Sequence, residues 1–347
     1  MKILLTENSF SGAHGSFRIF FDEIEYSLKT SGYTVYRADN VIQAASIYEQ
    51  YRPDFSIGIG KYNFLVDEKL LCELYTTPHY QWILDNPLKL PCYSSKNFTP
   101  VFIDREFAEL YNPAPERFLW LPLGINTEYK ATTTDRRPGI VFAGQVKNIM
   151  ALQEQINQSS QRAIIEKFLK MVSSNLDASF IMQYKNFVAT NKPANVDEFF
   201  RLTNSYIRCL KRIAILDKIE HYPLVLAGSI EEKKILQKKN VIHVGEIPYS
   251  ELTEFFSRYT HVLHISPNFS ACIHDRILRG LQAGCQVITE ENEILHKTFG
   301  NSLLYFGYKN FNENILMDGH QVRNIDFMPF SWEKILALII KDYHERS

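Results

Sequence analysis

The sequence has almost no net charge: 38 basic and 39 acidic side chains leave −1. That balance excludes the strong global field expected of a nucleic-acid or membrane-surface binder. Cysteine is scarce and unpatterned. Cys72, Cys92, Cys209, Cys272 and Cys285 form no CxxC pair. This excludes a disulfide framework and reads as buried thiols in a reducing compartment. No His/Cys group has zinc spacing. No apolar run reaches membrane-spanning length, and "MKILLTENSF" turns polar too soon for a signal peptide. A cytoplasmic protein is expected, at most peripheral to the inner face of the membrane.

What is present is a chain of 347 residues with 45% hydrophobic and 22% charged side chains, the profile of a soluble globular protein of two domains. Residues 1–126 carry 11 basic and 15 acidic side chains, and the rest carry 27 and 24. The halves are therefore −4 and +3. The basic surplus of the second half suits a phosphate ligand.

Alternation along the chain gives the fold class. "KILLT", "YTVYRA" and "DFSIGIG" read as buried strands. Between them, "FRIFFDEIEYSLKTSG" and "VIQAASIYEQY" have helical spacing. "HYQWILD", "PVFID" and "FLWLPLG" continue the strands to Asn126. Parallel βαβ units follow from that spacing. Residues 127–138 are nearly free of apolar side chains and read as a linker. "IVFAGQV" restarts the pattern, so a second α/β domain is expected over 139–330. Residues 148–220 interrupt it with long, polar helical stretches, taken as an insertion after the first strand of that domain. Residues 331–347 read as a C-terminal amphipathic helix.

The candidate ligand residues lie where strands end. Gly12, His14 and Gly15 follow the first strand. Gly144 and Gln145, then Gly228 and Ser229, then Gly245, follow later ones. Ligands of open parallel sheets bind at that edge, where backbone N–H groups and helix N-termini converge. Glycine simply turning the chain is the alternative. In "FSACIHDRILRGLQAGCQVITEENE", residues 269–293, a loop with Ser270 leads into a helix starting near Asp275 and stopped by Gly284. Asp275 suits the first helical turn. Arg276 and Arg279 lie three apart, which suits an anion clamp or a structural network with Asp275 or Glu290. "YIRCLKRIAILDKI" carries Arg208, Lys211, Arg212 and Lys218, and reads as a solvated helix face or a docking face.

The order "IVFAGQV … PLVLAGS … VIHVGEIPYSELTEFFSRYTHVLHIS … DRILRGLQAGCQVITEENE … SWEKI" resembles the C-terminal half of GT-B glycosyltransferases. It is most similar to the group-1-like transferases of the spore-maturation-protein type. Arg276, Gly284 and "VIT" at 287–289 match their "R-x-x-E-A-x-x-x-G" helix and following strand. "WILDNPLK" at 82–89 and "LPLGIN" at 121–126 resemble N-terminal motifs of the same group. The resemblance implies two Rossmann-like domains facing a cleft, with a helical insertion in the second. It also implies transfer of a sugar from a nucleoside-diphosphate donor to an acceptor hydroxyl.

The resemblance implies no cofactor and no essential metal, and no Asp-x-Asp pair occurs to hold Mg²⁺ or Mn²⁺ beside a diphosphate. The donor is expected on Gly144, Gln145, Gly228, Ser229, Gly245, Ser270, Asp275, Arg276, Arg279, Gly284, Thr289, Glu290 and Glu293. His14 and Asp85 are the candidate bases toward the acceptor, with loop and turn roles as their alternatives. The acceptor class stays open among glycan, lipid-linked glycan, protein and nucleic acid.

The chain departs from the wider superfamily at one place. Ala271 and Arg279 stand where retaining members carry a pair of glutamates. The second glutamate usually holds the ribose hydroxyls, and a guanidinium has donors only. Either Glu290 or Glu293 accepts from the ribose instead, or Arg279 serves the phosphates, or the pocket is a catalytically silent binding site.

Overall fold

A computed structural model describes residues 1–7, 16–60, 64–66, 68–84, 95–111, 115–129, 135–266, 268–316 and 325–346. The chain divides into two compact units, Met1–Glu128 with Asp326–Ser347, and Tyr129–Ile325.

The first unit is a six-stranded parallel sheet in the order β2-β1-β3-β6-β7-β8. Its strands are β1 Lys2–Thr6, β2 Thr34–Ala38, β3 Phe55–Ile59, β6 His79–Ile83, β7 Phe98–Phe102 and β8 Leu119–Trp120. A small hairpin of β4 Leu65–Val66 and β5 Lys69–Leu70 lies apart from it. Strands β3, β6 and β7 are buried along their whole length, as central parallel strands covered on both faces must be. Helix α1, Ser16–Thr30, buries Phe20, Phe21, Ile24 and Leu28, the stripe its 3–4 spacing sets. Helix α2, Val41–Tyr51, lies between β2 and β3, and α3, Leu71–Leu74, between β3 and β6.

A buried relay of side chains crosses this sheet. Tyr48 Oη lies 2.8 Å from Ser56 Oγ, which lies 2.8 Å from His79 Nδ1. His79 Nε2 lies 2.8 Å from Gln81 Oε1, and Gln81 Nε2 donates to Gly60 O at 3.0 Å. The amide oxygen can only accept, so Nε2 carries the imidazole proton and Nδ1 accepts from Ser56.

The last helix, α12 Trp332–His344, returns to this unit. Trp332 Nε1 donates to Glu23 Oε2 at 2.7 Å, and Tyr80 Oη donates to Asp342 Oδ2 at 2.8 Å. Arg346 adds a 2.8 Å pair with Asp342 and a 2.6 Å bond to Thr99. Trp332 also fills the space a side chain at Gly124 would need.

The second unit repeats the scheme with the order β11-β10-β9-β12-β13-β14, again all parallel. Its strands are β9 Arg137–Ala143, β10 Leu224–Ala227, β11 Val241–Gly245, β12 Tyr259–His264, β13 Gln286–Glu290 and β14 Leu303–Phe306. Strand β9 begins at Arg137, inside the stretch read as a linker. Helices α8 Lys233–Leu236, α9 Leu252–Ser257, α10 Asp275–Gln282 and α11 Glu293–Phe299 make the crossovers. The chain runs outward from β9 through β10 to β11, then crosses back to β12. The gap between the C-terminal ends of β9 and β12 is therefore a topological switch point, the usual ligand position of such sheets.

The expected insertion is four helices, α4 Ile149–Gln158, α5 Arg162–Ser173, α6 Phe180–Asn191 and α7 Val196–Leu216. Its polar surface encloses an aromatic core. Phe168, Phe180, Tyr184, Phe187, Phe199 and Phe200 are all buried. Their rings meet at 5.0–6.2 Å in stacked, tilted and edge-on pairs, the spacing aromatic quadrupoles favour.

Candidate functional site

At the C-terminal edge of the second sheet the three glycine loops come together. Gly144 N donates to Ala227 O at 2.8 Å, Val146 N to Ser229 O at 2.9 Å, and Gly228 N to Gly245 O at 2.7 Å. The strand ladder thus continues into the loops. Gly228 has φ +114, and a Cβ there would lie 2.3 Å from Gly144 O. No side chain fits between these two backbones, so the position requires glycine.

Two arginines meet the end of β9. Arg276, in the first turn of α10, donates through Nη1 to Ala143 O at 2.8 Å. Arg212, from the insertion helix α7, donates through Nη1 to Gln145 O. Arg212 is only 4% exposed, and its Nε has no hydrogen-bond partner. Its guanidinium lies 5.9 Å from the centroid of the Phe142 ring. Burial, with Arg208 and Arg276 nearby, lowers its pKa to about 9, so it remains a cation at neutral pH. The reading of α7 as a solvated basic face is corrected here. Lys211 and Arg212 are both buried, because the helix packs on several sides and takes its charges inside with Ile207, Cys209, Ile215 and Leu216.

Arg276 and Arg279 take different partners. Arg279 is 6% exposed. Its Nε donates to Tyr249 Oη at 2.9 Å, and its guanidinium lies 4.5 Å from that ring's centroid. Tyr249 in turn donates to Asp275 Oδ2. His274 precedes α10 as its N-cap and places Nδ1 2.6 Å from Asp275 Oδ1. Asp275 is thus the first-turn acid. Burial opposes its charge, yet His274, Arg276 and Tyr249 hold its carboxyl well below the usual range. Gly284, with φ +73, follows α10, and Arg136 donates to the carbonyls of Ala283 and Gly284.

Beside the switch point lies a pocket of about 270 Å³. The ends of β12 and β13 supply His264, Thr289 and Glu290; the loop before α10 supplies Ser270; α11 supplies Glu293. The insertion closes it with Asp177 and Lys211. Tyr308 donates its hydroxyl to Glu290 Oε1, and its backbone N–H donates to Asp177 Oδ1 at 2.7 Å. Burial raises the pKa of Glu290 against the pull of Lys211 and Tyr308. His264 is 3% exposed with an unpartnered Nδ1, and burial pushes its pKa well below 6.5.

Of the residues expected from the sequence, Ser270, Thr289, Glu290 and Glu293 line the pocket, with Glu293 at the exposed rim bonded to Lys297 at 2.5 Å. Gly144, Gln145, Gly228, Ser229, Gly245 and Arg276 gather at the strand ends. Arg279 joins the network behind α10. Gly12, His14, Gly15 and Asp85 lie outside the described residues. Lys211, Arg212, His264, Tyr308 and Tyr249 were not singled out as donor residues. The doublet Lys211–Arg212 within "CLKRIAIL" was their one signal, a pair of cations inside an apolar run. Among the described residues no group of three His, Cys, Asp or Glu could hold a metal ion, and no helix is long and apolar enough to cross a membrane.

No protein-family model matches the chain, and no curated protein matches it in sequence. Solved structures do match in fold. AviGT4, a glycosyltransferase involved in avilamycin A biosynthesis, superposes with a TM-score of 0.57 at 11% identity, covering 100% of this chain and 98% of its own. Sucrose-phosphate synthase from Thermosynechococcus elongatus gives 0.56 at 10%, covering 100% and 99%. Anabaena HepE in complex with UDP-glucose gives 0.50 at 10%, covering 100% and 99%. At such identities the likeness is one of fold, and it spans both units. The two six-stranded parallel sheets, with helices between their strands, are those of the GT-B glycosyltransferase fold.

Proposed function

We propose that the chain is a glycosyltransferase that takes a nucleoside-diphosphate-sugar as donor on its second unit. One observation carries the reading: two arginines from different helices converge on the end of β9, at the switch point and beside a polar pocket. Arg212 is buried and incompletely partnered. A buried cation with no carboxylate bonded to it is costly, and a diphosphate would supply direct counter-charge through charge-assisted hydrogen bonds. Arginine and backbone N–H groups would then meet the charge on the leaving diphosphate, without metal. Donor-binding glycines 144, 228 and 245 shape the edge. His14 and Asp85 are proposed as bases toward the acceptor, on the first unit. A cytoplasmic location fits the free, buried thiols Cys72, Cys209, Cys272 and Cys285.

A silent nucleotide- or sugar-binding protein is the second reading. The Arg279–Tyr249–Asp275 network favours it, since a buried cation occupies the place of a ribose acceptor.

A thermal-shift screen with UDP, GDP, ADP, TDP and CMP, with and without Mn²⁺ or Mg²⁺, tests binding. Donor-hydrolysis assays then separate the enzyme from the silent protein. A metal-free rise in melting temperature with one nucleoside diphosphate is expected, since a ligand at a hundredfold excess over Kd stabilises by about 2.7 kcal/mol. A flat screen sinks the donor reading.

A further inference from the structure

Lys211 is the odd cation of the second unit. It is 5% exposed and lines the pocket, yet it makes no hydrogen bond or ion pair among the described residues. Its ammonium lies 5.3 Å from the centroid of the Tyr308 ring. A buried ammonium normally has its three donors engaged. Across the same pocket stand Glu290 and Asp177 with acceptor oxygens, and His264 with its unpartnered Nδ1.

This arrangement is selective. An ammonium and carboxylates that share a pocket without closing on each other require a ligand group that both accepts and donates. A hydroxyl does both, and a ring of hydroxyls does so at several points. A second carboxylate would satisfy Lys211 but would stand beside Glu290 and Asp177, and like charges in one pocket repel. The pocket's volume, about 270 Å³, lies below the range of whole drug-sized ligand sites and suits one sugar ring.

We infer that this pocket is the subsite for a neutral hexose, in which Lys211 donates to the ring hydroxyls and Glu290 accepts from them. The inference rests on the donor reading above. It makes the helical insertion, through Lys211 and Asp177, the element that reads the sugar, while Arg212 of the same helix faces the diphosphate end.

Calorimetric titration tests it. UDP-glucose, UDP-galactose, ADP-glucose, TDP-glucose and GDP-mannose are each compared with the bare nucleoside diphosphate, on wild type, Lys211→Met and Glu290→Gln. In wild type one neutral sugar nucleotide should bind more tightly than its bare diphosphate. Either variant should weaken that sugar nucleotide by about 10- to 150-fold and leave the bare diphosphate nearly unchanged. The matched pair UDP-glucose and UDP-glucuronate, or GDP-mannose and GDP-mannuronate, should differ by at least about tenfold in favour of the neutral sugar. Equal losses for sugar nucleotide and bare diphosphate, or a uronate that binds as well as its neutral partner, would overturn the subsite and keep the donor reading. A wild type that binds no nucleotide at all removes the donor reading, and the subsite with it. If Lys211→Met does not fold, Tyr308→Phe replaces it. Loss of that hydroxyl, which holds Glu290, should weaken the same sugar nucleotide selectively.

Discussion

Arg212 and Arg276 reach the same strand end from two different helices, α7 and α10. Arg276 holds Ala143 O at 2.8 Å, and Arg212 holds Gln145 O. Burial and the nearby Arg208 and Arg276 all oppose the charge on Arg212. Two cations gathered where strands end is an arrangement that folding alone does not favour.

Arg212→Met should therefore separate stability from binding. Replacing a buried charge by an apolar side chain of similar length is often neutral or stabilising, so the melting temperature should hold or rise. Affinity for a nucleoside diphosphate should fall by about 10- to 150-fold, with the nucleoside much less affected. Chemical denaturation paired with calorimetric titration reads both. A variant that loses stability and binds nucleotide normally would make Arg212 a structural residue.

Arg279→Ala should behave in the opposite way. The guanidinium is bonded to Tyr249, which is bonded to Asp275. Its removal should cost about 1–3 kcal/mol of stability, with nucleotide and nucleoside affinities changing together. Tyr249→Phe should lose stability in the same direction. A selective loss of diphosphate affinity in Arg279→Ala would return this arginine to the phosphate clamp.

Gly228→Ala tests the glycine edge. The residue has positive φ, and its new Cβ would meet Gly144 O at 2.3 Å. Backbone must move on one side or the other, so a loss of more than about 1 kcal/mol is expected. Nucleotide affinity should fall as well, because the moved carbonyl lies next to the carbonyl that Arg212 holds. Unchanged stability would mean that the two loops do not approach as described.

Stability should also fall in mild acid through His79. Burial lowers its pKa to about 4, against the smaller upward pull of Gln81. The unfolded chain protonates this histidine near 6.5, so below that value the unfolded state binds more protons. The contribution is complete above about pH 6.5 and is lost as pH falls toward 4. It amounts to roughly 3 kcal/mol. His264 and His274 are lowered in the same direction, so the readout is a difference. Urea unfolding of wild type and His79→Phe between pH 7.5 and 4 should give a shallower slope for the variant, whatever its absolute stability.

The strands were legible because parallel sheets bury both faces. "KILLT" and "DFSIGIG" have one reading at that length and composition. The crossover helices were legible by their stripes, as with Phe20, Phe21, Ile24 and Leu28 in α1. Helix α7 was not. Cations at 208, 211 and 212 have the same spacing whether the helix meets water or protein, and its neighbours come from β9 and from Tyr308, about 65 and 95 residues away by simple count. The Tyr48–Ser56–His79–Gln81 relay was silent for the same reason, as its members stand on three different elements. Arg279 was seen as an exception to a pattern, but its partner Tyr249 opens a separate 3-10 turn and left no trace in the local sequence.

The return of α12 has a consequence for synthesis. The first unit takes Asp342 beneath Tyr80 and Trp332 against Gly124, and these residues are made after the whole of the second unit. Domains usually fold as they emerge, the N-terminal one first. Here the order is inverted: the second unit, uninterrupted in sequence over Tyr129–Ile325, can finish while the first still waits for its closing helix. During that interval the faces that receive Trp332 and Ile339 stand open to water. For this chain, the older half is completed only by a helix made after the whole of the younger one.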